Sequence, residues 1–235
     1  MISFRIFILF IPILLASCNN DNSIAPQPIT PTPVAATFQY LALGDSYTIG
    51  ESVKEEERFP VQLVDSLRER GYAFSDPRII AQTGWRTDNL MNAIIAENIT
   101  DTFDIVSLLI GVNNQYQGKT AEEYRQPFRA LLEQAISFAG GDTSKVFVIS
   151  IPDYGVTPFG SNGNPQQIAQ EIDEFNAVNL EVADSLNVTY FNITPITRQA
   201  ATDQTLTASD GLHPSGKMYR RWVELMLEEV ELKIK

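Results

Sequence analysis

From residue 38 onward, short β-rich apolar runs alternate strictly with longer amphipathic stretches, and few architectures accept that order. The runs are FQYLALG (38–44), RIIAQ (78–82), FDIVSLLIG (103–111), KVFVISI (145–151) and NVTYFNI (187–193). Several are continuous in apolar residues, as strands buried on both faces of a parallel sheet are. Helical spacing fills the intervals at 59–70, 87–97, 120–139 and 165–186, and resumes from Pro214 to the C-terminus. This order predicts an α/β fold, a three-layer α/β/α sandwich around a parallel sheet of about five strands. In such folds the ligand crevice lies outside the carboxyl ends of the strands. Candidate chemistry therefore belongs on the strand-to-helix connections.

The residues before this pattern have another character. Arg5 precedes an apolar run over 6–16 that is too short to span a bilayer and has the proportions of a signal-peptide core. It ends in Leu15-Ala16-Ser17-Cys18, which resembles the lipobox of bacterial lipoproteins, where cleavage precedes the cysteine and lipid is attached to it. Cys18 is the sole cysteine, so no disulfide can form within one chain. The alternative is an ordinary secreted protein with one unpaired thiol. Residues 19–37 are polar and then proline-rich, the composition of a semi-rigid extended tether. The expected organisation is a lipoprotein signal peptide at 1–17, a tether with lipidated Cys18 at 18–37, and one domain at 38–235. The product would be exported and anchored through its N-terminal lipid alone, facing the periplasm or the cell surface. A formal net charge of -12 repels phosphate backbones, so nucleic acid is not an expected partner.

Two connections stand out. Ser46, in GDSY, follows the first apolar run by two residues and precedes a polar stretch expected to be a loop. A serine in such a place is either turn punctuation or a nucleophile, and the Gly-x-Ser-x-Gly elbow is absent because residue 48 is threonine. A nucleophilic serine needs a base, and His213 is the sole histidine. Pro214 suits the first position of the last helix, which predicts His213 as that helix's cap residue. Asp210 stands three residues earlier across a turn at Gly211, close enough to orient the imidazole.

Four blocks now carry a family resemblance over essentially all of 38–235. They are GDS with Ser46, AQTGWRT with Gly84, GVNN with Gly111 and Asn113, and DGLH with Asp210 and His213. The chain resembles the SGNH hydrolases of the GDSL esterase and lipase group. The resemblance implies their flavodoxin-like fold and a serine esterase mechanism with Ser46 as nucleophile, His213 as base and Asp210 as its orienting partner. It also implies an oxyanion hole made of the Ser46 and Gly84 backbone N–H groups and the Asn113 side-chain amide. One departure is Asn114, where the family commonly has aspartate; it is expected to tune the site. Tyr47, Trp85, Asn114, Tyr154, Val156 and Leu212 are candidate pocket residues, with Phe159 a further wall in IPDYGVTPFG. Trp85 could stack on a sugar ring or an acyl chain.

One histidine and one lipobox cysteine cannot assemble a His or Cys zinc site, although carboxylates leave calcium sites open, and no glycine-rich phosphate loop is present. No cofactor is expected. The expected substrates are small esters: O-acetyl groups on carbohydrate, or short-chain carboxylic esters. Lysophospholipid or thioester hydrolysis is the alternative within the enzyme class, and a catalytically idle glycan-binding module is the alternative outside it.

Overall fold

The structure, a computed structural model, describes residues 38–235, so Cys18 and the signal and tether assignments lie outside the described residues. The chain runs β1 (Tyr40–Gly44), α1 (Ser46–Ile49), α2 (Phe59–Glu69), β2 (Arg78–Ala81), α3 (Thr87–Glu97), β3 (Ile105–Leu109) and α4 (Val112–Tyr116). It continues with α5 (Ala121–Phe138), β4 (Val146–Ile149), α6 (Pro165–Ser185), β5 (Thr189–Phe191), α7 (Thr194–Thr197) and α8 (Gly216–Leu232). All five strands pair in parallel, in the order β2-β1-β3-β4-β5. The expected α/β sandwich is what forms.

Strands β1, β3 and β4 are buried at every position, which explains their unbroken apolar character. The strand order reverses at β1. Right-handed crossovers then send α2 to one face and α3, α5 and α6 to the other. The packing agrees: α2 lies against α8, and α5 lies against α6 and α3. Helix α8 buries Met218, Tyr219, Trp222, Val223, Met226 and Val230, a helical stripe. Trp222 fills the gap between Phe59 of α2 and Tyr219, with ring centroids 6.2 and 4.9 Å away. Each such side chain contributes roughly 1.5–3 kcal/mol through burial.

The switch point at β1 positions the site. Gly44, the last residue of β1, is in register with Ala81 on one side and Leu109 on the other, so three strands end at one level. Immediately beyond, α1 folds back over the end of β1. A Cβ on Gly44 would lie 2.1 Å from Thr48 Oγ1 and 2.4 Å from the Leu109 carbonyl oxygen, so only glycine fits beneath that turn.

Two local expectations need correction. Ser46 does not lead into a loop: it is the first residue of α1, capped by Asp45, whose side chain accepts from the Tyr47 N–H at 3.0 Å. His213 is not a helix cap. Ser215 caps α8 through its hydroxyl, which accepts from the Met218 N–H. An imidazole competes poorly with a short hydroxyl for that role. The backbone around His213 is instead extended against 206–208, with Ala208 N–H donating to the His213 carbonyl at 2.7 Å and Ser215 N–H to Leu206 at 2.9 Å.

Candidate active site

Four segments that follow different strands meet above the sheet. Ser46 arrives after β1, Gly84 after β2, Asn113 after β3 and Tyr154 after β4, while His213 enters on the extended segment before α8. Ser46, Tyr47, Gly84, Asn113, Tyr154, Leu212 and His213 all line one cavity of about 160 Å³. Ser46 and His213 are 4% and 7% exposed, so both side chains lie largely out of bulk water.

Asp210 and His213 are in close polar contact, His213 Nδ1 to Asp210 Oδ2 at 2.6 Å. The turn between them is closed by the same carboxylate: Oδ1 accepts the N–H of Leu212 at 2.9 Å and of His213 at 3.0 Å. Gly211 supplies the positive φ of 73° that the turn requires. Ser52 Oγ donates to Asp210 Oδ2 at 2.7 Å. Burial pushes the Asp210 carboxyl up, but the bonds from His213, Ser52 and the two backbone N–H groups outweigh it and hold the group well below the usual carboxylate range. Asp210 is therefore a carboxylate at any working pH. The neighbouring buried carboxylate, Asp153, is engaged elsewhere, taking Arg198 Nε at 2.8 Å and the Gly155 N–H at 2.8 Å. Tyr47, 3% exposed, packs its ring edge-on to the His213 imidazole at 5.8 Å between centroids.

Asn113 Nδ2 donates to the Trp85 carbonyl at 2.9 Å, which fixes the amide plane. An NH₂ group carries two donors, and the second is left for the cavity that Asn113 lines. Gly84 holds a φ of 84°, a left-handed conformation with open space where a Cβ would stand. No hydrogen bond from the Ser46 or Gly84 N–H to another described residue competes with a ligand.

Three candidate pocket residues lie elsewhere. Asn114 is buried and does not line the cavity. Its Oδ1 accepts from the Thr87 N–H at 3.1 Å and its Nδ2 donates to Thr87 Oγ1 at 2.9 Å, so it secures the start of α3. An amide satisfies both partners there, which accounts for an asparagine at this position. Trp85 packs its half-buried ring on the core and offers the site only its carbonyl. Val156 also packs on the core, on a 3-10 turn whose Tyr154 faces the cavity. Sequence reasoning missed Thr83, Val112 and Tyr116 in the cavity wall, and Ser52 behind Asp210. Tyr116 had a visible signal, one helical turn after Asn113 on α4. Ser52 had none, being 158 residues from its partner. Among the described residues no group of three or more His, Cys, Asp or Glu could hold a metal, and no helix is long and apolar enough to cross a membrane.

The sequence model of the GDSL-like lipase/acylhydrolase family matches residues 42–221. A multidomain esterase of Ruminococcus flavefaciens is 24% identical over 257 aligned residues, covering 92% of this chain and 31% of that protein. The chain thus spans about a third of the length of the curated relative it matches. Among solved structures, the lipase/acylhydrolase of Enterococcus faecalis superposes with a TM-score of 0.66 at 22% identity, over 84% of this chain and 97% of that one. An acetyl xylan esterase of Geobacillus stearothermophilus gives 0.63 at 18% identity, over 85% and 97%. At these identities the structural likeness is one of fold.

Proposed function

The chain belongs to the GDSL-like lipase/acylhydrolase family, and from that premise we propose that it is a serine ester hydrolase using Ser46, His213 and Asp210 on small acyl esters, O-acetylated carbohydrate first among them. The observation that carries this reading is the 2.6 Å pairing of Asp210 with His213 Nδ1 beside a cavity shared with Ser46. With Nδ1–H given to the carboxylate, Nε2 is the basic nitrogen. Ser46 Oγ attacks the ester carbonyl carbon as Nε2 takes its proton. The C–O bond then breaks, and the proton passes to the departing alcohol oxygen. Water then attacks the acyl carbon as the same nitrogen takes its proton, the bond from that carbon to Ser46 Oγ breaks to release the acid, and the nitrogen returns the proton to Oγ. Charge developing on the carbonyl oxygen is met by the Ser46 and Gly84 N–H groups and the second Asn113 donor, whose orientation is fixed before substrate arrives.

The test is hydrolysis of p-nitrophenyl acetate and of an acetylated oligosaccharide by the wild type and by Ser46→Ala. The variant is expected to lose about 10⁴-fold or more in kcat with KM little changed, as happens when a triad nucleophile is removed. Residual turnover within tenfold of wild type would take Ser46 out of the mechanism.

We propose, too, that residues 1–17 are removed on export and that Cys18 carries the lipid, on the strength of the Leu15–Cys18 sequence. Mass spectrometry of the N-terminal peptide from cells should show Cys18 as the first residue, bearing a diacylglyceryl group. A peptide that begins at Met1 with an unmodified thiol would refute it.

A further inference from the structure

A second, larger cleft opens beside the cavity that holds Ser46. Its volume is about 540 Å³ against 160 Å³, and the two share Tyr116, Tyr154 and Phe159 as a common wall. We infer that this outer cleft binds the alcohol half of the ester and that it is built for a neutral oligosaccharide. The inference rests on the esterase reading above and adds to it which part of the substrate lies where.

The position comes from the histidine. The leaving oxygen receives its proton from His213, so the alcohol must depart on the His213 side. Phe159 stands on that side, because its N–H donates to the Gly211 carbonyl at 2.9 Å, in the turn that carries Asp210 and His213. The cleft beyond Phe159 is therefore continuous with the leaving-group end of the cavity.

The chemistry comes from its two walls. Tyr116 and Phe159 are 59% and 42% exposed, the two aromatics among the large apolar side chains left in water in the described residues, and they stand together with ring centroids 6.2 Å apart. Tyr154 supports both, at 6.1 and 6.4 Å. Two neighbouring rings in water contribute little to folding, and their electron-rich faces suit the C–H face of a pyranose. The other wall is a polar array. Glu171 is held by two amides, Gln115 Nε2 to Oε2 at 2.6 Å and Gln167 Nε2 to Oε1 at 2.8 Å. Each carboxylate oxygen retains acceptor capacity and Gln167 a further donor and an acceptor, which matches the mixed hydroxyl edge of a sugar. The ring spacing is that of packed neighbours, not of a box around an ammonium group. Glu171 is the sole charged side chain lining the cleft, so an anionic or phosphate-bearing alcohol would be repelled.

The test compares kcat/KM for acetylated xylotriose, p-nitrophenyl acetate and p-nitrophenyl octanoate in wild type, Glu171→Ala and Gln167→Ala. Ratios taken within one sample do not depend on how much of it is folded. The ratio of acetylated xylotriose to p-nitrophenyl acetate is expected to fall about tenfold to a hundredfold in Glu171→Ala, and less in Gln167→Ala, mainly through KM. An unchanged ratio would overturn the inference, and so would a loss confined to the octanoate, which would make the cleft an acyl site. Wild type that cleaves p-nitrophenyl acetate but discriminates against the xylotriose ester would sink the cleft assignment and leave the esterase standing. Binding of unesterified xylotriose that depends on Glu171, in a protein that cleaves no ester, would do the reverse.

Discussion

Asp210→Asn should lower kcat on p-nitrophenyl acetate by about 10⁴-fold while leaving the fold and KM nearly intact. The size follows from which atoms of Asp210 are already taken. Oδ1 accepts two backbone N–H groups, from Leu212 and His213, and a carboxamide can keep those bonds only by placing its oxygen there. Its NH₂ then occupies the Oδ2 position and points at His213 Nδ1, 2.6 Å away in the wild type. Two N–H donors cannot face each other, so Nδ1 must give up its proton and become the acceptor. The proton moves to Nε2, and the nitrogen that should deprotonate Ser46 is occupied. Ser52 Oγ, which donates to Oδ2, loses its acceptor as well. The turn survives and the base does not. Circular dichroism and the thermal midpoint would check the fold, and steady-state kinetics would check the base. A drop of less than tenfold would mean that Asp210 positions the loop without setting the tautomer.

The residues of this site are legible in the sequence alone, because the parallel sheet converts order along the chain into proximity in space. Ser46, Gly84, Asn113 and Tyr154 each lie just past a strand, and strands ending at one level bring such residues together. What failed were distinctions finer than the period of an element. Asn113 and Asn114 are adjacent on α4, about 100° apart around its axis; one faces the cavity and the other the start of α3, and apolar patterning does not tell two neighbouring asparagines apart. Trp85 suggests a side-chain role in the sequence, yet only its carbonyl is used. Pro214 starts helices well and so points to His213 as a cap, whereas Ser215 offers the better cap and the antiparallel bridge between Thr207 and Pro214 holds the chain extended. Long-range polar contacts such as Ser52 to Asp210 leave no local trace in a sequence.

Asp45 is the one element of the GDS block whose placement costs stability, and Asp45→Asn should make the protein more stable above neutral pH. Its carboxyl is fully buried. Oδ1 caps α1 through the Tyr47 N–H, but Oδ2 has no hydrogen-bond partner among the described residues. Burial, only partly offset by the backbone N–H groups of Tyr47 and of Asp45 itself, pushes the carboxyl up from 3.8 to about 7. The groups around it give no relief: Tyr47, Tyr124 and Tyr219 are buried phenols, pushed well up by burial and then by the charge Asp45 would carry. Between pH 3.8 and 7 the folded protein keeps a proton that the unfolded chain has released, so this group's contribution is full below 3.8 and is lost as pH rises through 7. The penalty accumulated by pH 8 is at most about 4 kcal/mol, at about 1.4 kcal/mol per pH unit. An asparagine keeps the Oδ1 cap and does not ionise. Its NH₂ carries a desolvation cost of about 1–3 kcal/mol that does not change with pH, so the quantity to read is the slope. Denaturant unfolding of both proteins from pH 4 to pH 8 should show the variant gaining on wild type by several kcal/mol across that range. Parallel curves would mean that Asp45 ionises normally in the folded state and that its unpartnered oxygen is solvated.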